Sequence, residues 1–573
     1  MRRDIFQNEL ALNDDLNTST PYHALNFIGG ASKPPFSSFM VVFFAGLFHS
    51  DIVSDKERVK EGESHIREIE MPRAVLTADA SVMHQFIGAL YSGFLSTFPR
   101  RVVQDFLFKH VICRPVPANA DGTTDYPILS LRAVEAILRK DGYGEADVKI
   151  AHPHRIGRVI DSQTKIVGVS AKDPLGIGPA TTSWVALWGG QPQNRLKFAA
   201  LMNQIQRLKK RYDFTVVFGG SGAWQLEDPR VMDYYGIDYV LVGEGERVIP
   251  DLFRNLEAES YSGSRVIRGP PARVTEVPSI LGPSNASLIE VTRGCGKGCK
   301  FCSPSVAGRL RSFPLEKILG DAQAYLDRGI KSVTLQSEDT LRYGSSNLES
   351  DEDAVLTLYK ELFKLGLKRV ILTHASMITF AHQPELISKL TKLLRKHGLP
   401  GYGCQPGFET GSGRLVKELM PNKCYPRDPS EWPEVIREAL DVMHENRWLP
   451  CCTLVMGLPG EDEEDIRETI SLIKSLTHHL AFFFPLSFLP VKNTPLAHSA
   501  RCVRDRMSVA HWDLLEVTWR HNLRFFNRAF GYVAEGRFPL MRVGLRIATG
   551  VFGSFILQTI RTRRKEAAKA GRH

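Results

Sequence analysis

Two successive series of short apolar runs, each run followed by an amphipathic stretch, constrain most strongly what this chain can fold into. In the first series LRAVEAILRKDGY reads as a helix, KIVGVS at 165–170 as a strand, NRLKFAALMNQIQRLKKRY at 194–212 as a helix, and TVVFGG and DYVLVGEGE as strands. Phe198, Leu201, Ile205 and Leu208 recur at helical spacing, so the 194–212 helix carries one apolar face to lay on a sheet. Apolar strands separated by such helices imply a parallel, doubly wound sheet. The Gly/Pro/Arg-rich stretch SGSRVIRGPPARVTEVPS at 262–279 interrupts the pattern and reads as a linker. A second series then runs LIEVT, KSVTLQ at 331–336, RVILTHA at 369–375, GYGCQPGFE at 401–409, CCTLVMG at 451–457 and AFFFPLSFLP at 481–490. Six βα-type units predict an open or partial barrel, with ligands at the C-terminal ends of its strands.

At 573 residues the chain exceeds one ordinary hydrophobic core, and its 43% hydrophobic and 24% charged residues are those of a globular protein. The net charge of +10 is localised: residues 501–573 hold 15 Lys/Arg against 5 Asp/Glu, leaving 58 against 58 for residues 1–500. Nine cysteines in such a length are no disulfide scaffold, and three of them fall within eight residues, which points to metal chemistry in a reducing compartment. The start, MRRDIFQNELALNDD, has acids where a secretory signal carries its apolar run, so a cytoplasmic location is expected. Two apolar runs, 39–48 and 547–557, are about half the ~20 residues that span a bilayer; the second is expected at most to lie on a membrane surface.

LIEVTRGCGKGCKFCSPS places Cys295, Cys299 and Cys302 in a Cys-x3-Cys-x2-Cys loop directly after an apolar strand. Three thiolates on one tight loop suit three irons of a cubane and leave the fourth iron open. Structural zinc calls for four ligands, and the nearest other cysteine downstream is Cys404, about a hundred residues on; a zinc site with a distant fourth ligand stays open at this point. Glycines 294, 296 and 298 suit a loop wrapped closely round a cluster, and Phe301 is placed to shield it.

This loop, with an aromatic residue before its last cysteine, resembles the signature of the radical S-adenosylmethionine (SAM) superfamily. The resemblance implies a [4Fe–4S] cluster on the three cysteines, whose open iron chelates SAM and whose electron cleaves it to a 5′-deoxyadenosyl radical. An electron donor such as flavodoxin or ferredoxin is implied with it. Further matches follow in order. QSED at 336–339 stands where the family has Gly-Gly-Glu, making Ser337 and Glu338 the implied contacts to the methionine end of SAM; GFETGSGRL resembles the stretch whose acid approaches the ribose, here Glu409; TLVMGLPGEDEED resembles the turn near the adenine, with Gly457 and Gly460.

The upstream series resembles the cobalamin (B12)-binding domain that precedes the barrel in one large radical SAM class. Gly219, Gly220, Gly243, Glu244 and Gly245 are the implied contacts at its strand ends, and the turn KDPLGIGPATTSW at 172–184 is placed to join them. The cobalt-ligating Asp-x-His-x-x-Gly motif is absent in full; HPHRIG keeps only His154 and Gly157. The expected α/β architecture is an unassigned extension at 1–115, a Rossmann-like cobalamin-binding-type domain at 116–261, a linker at 262–284, a partial (β/α)6 radical SAM barrel at 285–500 and a basic helical region at 501–573.

For that class the resemblance implies that one SAM methylates cobalt, a second supplies the radical, and an unactivated carbon becomes methylated. Cyclisation or rearrangement without net methyl transfer is the alternative within the class, and a non-catalytic cobalamin or iron–sulfur sensor the alternative outside it. The basic, apolar tail around Arg542, Arg546, Arg561, Arg563, Arg564 and Lys565 suits either an ordinary helix packed on the barrel with a solvated basic end or a lipid headgroup region; the second reading carries the expectation of a lipid-like or apolar small-molecule substrate and peripheral membrane contact. Relatives with the same tandem that methylthiolate transfer RNA carry a second set of three cysteines upstream, whereas only Cys113 precedes residue 285 here; nucleic acid is not the expected partner.

Overall fold

The computed structural model describes residues 72–86, 92–399, 402–533 and 539–572. Strands β1 (Ala74–Ala78), β2 (Val148–Ile150), β3 (Ile166–Ser170), β4 (Thr215–Gly219), β5 (Tyr239–Gly243) and β6 (Val266–Gly269) form one parallel sheet in the order β2-β1-β3-β4-β5-β6. Every residue of β1 and β3 is buried, as continuous apolar runs require when helices cover both faces. On one face helix α1 (Leu129–Lys140) packs with the helix Ile249–Glu257 against Leu76, Ile150 and Leu241. Helix α2 (Pro179–Trp188) leads into α3 (Gln193–Lys209), which lays Phe198, Leu201 and Ile205 on the other face.

Two strands depart from the sequence expectation. β1 comes from the span read as an unassigned extension, so the sheet begins well before residue 116; β6 comes from the 262–284 linker and pairs in parallel with β5. Neither has a local signature. The partners of β1 lie some 70 to 90 residues downstream, and β6 is an edge strand with no fully buried residue. The apolar run 39–48 lies outside the described residues.

The second series forms the barrel. β7 (Leu288–Glu290) is followed by the antiparallel pair β8 (Thr292–Arg293) and β9 (Arg311–Ser312), then β10 (Ser332–Gln336), β11 (Arg369–Leu372), β12 (Tyr402–Cys404), β13 (Gly407–Glu409), β14 (Trp448–Met456) and β15 (Phe482–Ser487). β7, β10 and β11 pair in parallel, and β12, β13 and β15 all pair in parallel with β14. β12 and β13 are one strand position interrupted at Gln405-Pro406, where proline has no N–H for the ladder; Gln405 N still donates to Thr373 O at 2.8 Å and joins the two halves of the barrel. Six strand positions result, as the sequence pattern predicts.

The open edge of β15 is satisfied by side chains. Asn522, on the helix Val509–Val533, accepts from Phe483 N at 2.8 Å and donates to Phe483 O at 2.7 Å, while Ser183 on α2 accepts from Ser487 N at 2.8 Å. Trp184 and Trp188 of α2 stack on Phe98 with centroids 4.4 and 5.5 Å away, and Trp184 reaches Trp519. Helix α2, the barrel and the C-terminal helices therefore share one continuous core, while the two faces of the upstream sheet carry cores of their own. The final helix, Pro539–Lys569, buries Phe552, Ile556 and Ile560 against this core, and its basic end is paired: Arg561 with Glu516, Arg564 with Asp513 and Arg563 with Glu566. Among the described residues no helix is long and apolar enough to cross a membrane.

Candidate active site

The loop after β8 carries the three cysteines. Gly294, Gly296 and Gly298 hold φ of +72°, +73° and +68°, and a Cβ at Gly294 would stand 2.6 Å from the Arg309 carbonyl oxygen, so this turn requires glycine. The backbone is tied down on several sides. Cys295 N donates to Val306 O at 2.9 Å, Lys300 N donates to Leu419 O at 2.8 Å, and the buried Arg342 guanidinium donates to the carbonyls of Cys295 and Asn347. Cys299 is buried; Cys295 and Cys302 are half-buried. The Cys302 thiol donates to Cys299 and lowers its pKa.

The loop brings three thiols together, where a closed structural zinc site takes four ligands and three irons of a cubane take three. Two lysines flank them, Lys297 buried and Lys423 half-buried. Lys297 Nζ lies 3.5 Å from Asp339 Oδ2 and donates to Ser376 Oγ; Lys423 Nζ lies 3.2 Å from Glu409 Oε1. Burial opposes both charges. At Lys297 it prevails and lowers the pKa, while at Lys423 the charges of Glu409, Cys299 and Cys302 outweigh it. Donor set and nearby cations fit an anionic iron–sulfur cluster.

The remaining barrel positions gather at the same C-terminal strand ends. Ser337 is buried and engaged by the protein: its Oγ pairs with Thr292 Oγ1 and accepts from Asp339 N at 2.9 Å. Glu338 is half-buried, and burial together with the Glu290 carboxylate raises its pKa. Glu409 holds a φ of +63°, a conformation costing of order 1–3 kcal/mol for a residue with a side chain, and is kept there by Lys423 and by Thr453 Oγ1 at 3.4 Å. In the turn after β14, Gly457 N donates to Glu461 Oε2 at 2.7 Å, and that carboxylate also meets His511 Nε2 at 3.0 Å; Gly460 O accepts from Arg414.

At the upstream sheet the structure corrects part of the expectation. The Gly243-Glu244-Gly245 turn is occupied by the junction between sheet and barrel. A Cβ at Gly243 would meet Gly269 O at 2.2 Å, and Glu244 binds Arg311 and Arg293, the latter at 2.8 Å, while Glu246 binds Arg293 at 2.7 Å. Arg293 immediately precedes the cysteine loop, so these acids anchor the loop and are not free for a cofactor. HPHRIG follows β2, at the sheet edge, and His152 is buried there.

The strand order 2-1-3-4-5 instead puts the topological switch between β1 and β3, where Asp79 and the 171–178 loop leave the sheet. Gly220 borders this crevice, its Cβ position 2.5 Å from Ser170 Oγ, and Gly219 stands beside it at the end of β4. The loop is built on Asp173, which accepts from Ile177 N, Gly178 N and Gln225 Nε2 at 2.9 Å each, from Thr181 Oγ1 at 2.5 Å and from Asn194 Nδ2 at 2.7 Å. Lys172, next to Asp173 on this loop, lies within electrostatic reach of Glu338: burial lowers its pKa, and the charges of Asp173 and Glu338 oppose that. Strand ends of the sheet and of the barrel thus face each other across Lys172 and Glu338. His374 joins them, half-buried, its Nδ1 3.1 Å from Ser337 O. Sequence reading missed Asp79, Lys297, Arg342, His374 and Lys423, which carry no motif of their own, and named Lys172 only as part of its turn.

Asp79 yields a pH prediction. Burial raises its carboxyl from 3.8 to about 6, so between those values the folded state binds more protons than the unfolded one and stability falls as pH rises. A shift of roughly two units corresponds to about 3 kcal/mol, fully lost above pH 6. The expected result is that Asp79→Asn melts increasingly above the parent as pH rises from 4 to 7, with the difference shrinking below pH 4; a pH-independent difference would refute the assignment.

Known proteins match the same regions. The radical SAM superfamily pattern matches residues 289–473. A tRNA-2-methylthio-N(6)-dimethylallyladenosine synthase of Syntrophomonas wolfei is 24% identical over 282 residues, covering 48% of this chain and 59% of that one. A ribosomal protein uS12 methylthiotransferase of the same organism is 26% identical over 321 residues, covering 53% and 65%. The chain thus spans about 60% of the length of these curated relatives. A solved radical SAM methyltransferase, TsrM from Kitasatospora setae, with cobalamin and a [4Fe–4S] cluster bound, shares the fold at a TM-score of 0.50 and 15% identity, over 87% of this chain and all of that one. Residues 289–473, the barrel with the three-cysteine loop at its strand ends, thus carry the pattern of the radical SAM superfamily.

Proposed function

We propose that the chain is a cobalamin-dependent radical SAM enzyme that methylates an unactivated carbon. The observation that carries this reading is the approach of two sets of strand ends: Lys172, on the loop after β3 of the doubly wound sheet, and Glu338, after β10 of the barrel, feel each other's charge. Cys295, Cys299 and Cys302 hold the cluster; Ser337, Glu338, Glu409, Gly457 and Gly460 border SAM; Gly219, Gly220 and the Lys172 loop border the corrinoid. Bound there, cluster and SAM supply a 5′-deoxyadenosyl radical and the corrinoid a transferable methyl group. The chain's own residues hold the loop, exclude water and set charge: Arg342 fixes Cys295, Lys297 and Lys423 offset the thiolates, and Lys172 with Glu338 spans the junction.

Methylthiolation of RNA or protein, the chemistry in the relatives' names, finds less support. Upstream of residue 285 there is only Cys113, and burial raises its thiol far above its usual range, so a second cysteine-bound cluster lacks ligands. A lipid-like or other apolar substrate belongs to the proposal through the tail's composition, although its basic side chains are partly engaged in ion pairs. Anaerobically reconstituted protein with SAM, reductant and cobalamin is expected to retain a corrinoid, detected by mass spectrometry, and to release 5′-deoxyadenosine. Lipid extracts of producing and non-producing cells then report a methylated product. A full cluster without SAM turnover would overturn the enzyme reading in favour of a sensor, and absence of bound corrinoid would overturn the cobalamin part alone.

A further inference from the structure

A second cluster of donor side chains lies at the opposite end of the barrel from the cysteines. Asp441 and His444 stand one turn apart on the helix Trp432–Glu445, and His478 and His479 occupy the turn just before β15. Asp441, His478 and His479 each offer a ligand atom, all within 4.8 Å of one another. His479 Nε2 lies 2.8 Å from Asp441 Oδ1; the His478 ring centroid is 3.9 Å and the His444 centroid 6.4 Å from that of His479. The backbone of this turn is held independently, since Arg528 donates to the carbonyls of Thr477 and His478, and His521 Nε2 meets Ala481 O at 3.0 Å.

His479 is the buried member of the cluster, and the nitrogen it turns toward Asp441 is Nε2; its Nδ1 has no hydrogen-bond partner among the described residues. Imidazoles with one carboxylate suit zinc or a similar first-row ion, whereas magnesium and calcium take oxygen ligands. Bonds of about 2.0–2.1 Å place neighbouring donors on a tetrahedral ion about 3.3 Å apart, so the Asp441–His479 contact needs to open only slightly. Asp441 and His478 are exposed and free to adjust.

We propose that Asp441, His478 and His479, with His444 or water as fourth ligand, bind one zinc-class divalent ion at the base of the barrel and pin the turn that leads into β15. The test uses cluster-loaded full-length protein, with cobalt(II) as an optical probe and zinc competed against a chromophoric chelator. The expected result is one equivalent bound with the weak visible bands of nitrogen and oxygen ligation, no added sulfur-to-cobalt charge transfer, and a zinc-dependent rise in melting temperature. His478→Ala and Asp441→Asn, both at exposed positions, are expected to weaken zinc by about tenfold or more and to erase the melting shift. No saturable binding, sulfur-dominated cobalt spectra, or equal affinity in His478→Ala would each overturn the site.

Discussion

Alanine at Cys295, Cys299 or Cys302 is expected to remove the iron and the visible absorbance of the purified protein and to abolish SAM cleavage, whereas Cys451→Ala and Cys452→Ala keep all three. The loop's backbone is held by groups other than the thiols, namely Val306 O, Leu419 O and the Arg342 guanidinium, so the substitutions delete ligands and leave the loop in place. Cys451 and Cys452 lie buried on β14, where desolvation raises both thiols well above their usual range and keeps them from acting as thiolates. Losing either sulfur is a small core truncation, costing about 1 kcal/mol. Iron and SAM-derived 5′-deoxyadenosine are the measurements. Full iron in any one of the three loop variants would sink the assignment.

Lys297→Met is expected to have the largest effect on stability among substitutions that touch no cluster ligand. Its ammonium, inside the cysteine loop, lies 3.5 Å from Asp339, and both side chains are almost wholly buried. Removing the cation leaves a buried carboxylate without a countercharge, a change typically costing about 3–5 kcal/mol. Asp339 keeps its bonds from Ser376 N and Ser376 Oγ, and these do not replace the charge. The double variant Lys297→Met/Asp339→Asn is expected to recover most of the lost melting temperature. Iron retention should fall in the single variant and return in part in the double one. Equal melting temperatures for single and double variants would show that the pair does not act as a unit.

The parts legible in the sequence are those whose cause is local. Six apolar runs and the helices between them announced the barrel, because one helix face or one buried strand is specified within about a dozen residues. The cysteine spacing and its glycines were legible for the same reason: a tight loop with positive φ at 294, 296 and 298 is a local requirement. HPHRIG keeps only half of a cobalt-ligating motif, and its strand, β2, lies at the sheet edge, away from the switch. The Glu244 turn invited a cofactor reading, but Arg293 and Arg311, some 50 to 70 residues later, take that carboxylate.

The sequence alone therefore determined the class of each half and the loop that gathers three cysteines. Only the tertiary structure decided where the sheet begins, which crevice is its switch point, and what surrounds the cysteines. β1 has no meaning until β2 and β3 arrive to pair with it. Asp79, His374, Lys297 and Lys423 are ordinary polar residues in sequence; burial and mutual charge, which depend on segments far apart in the chain, turn them into parts of a site.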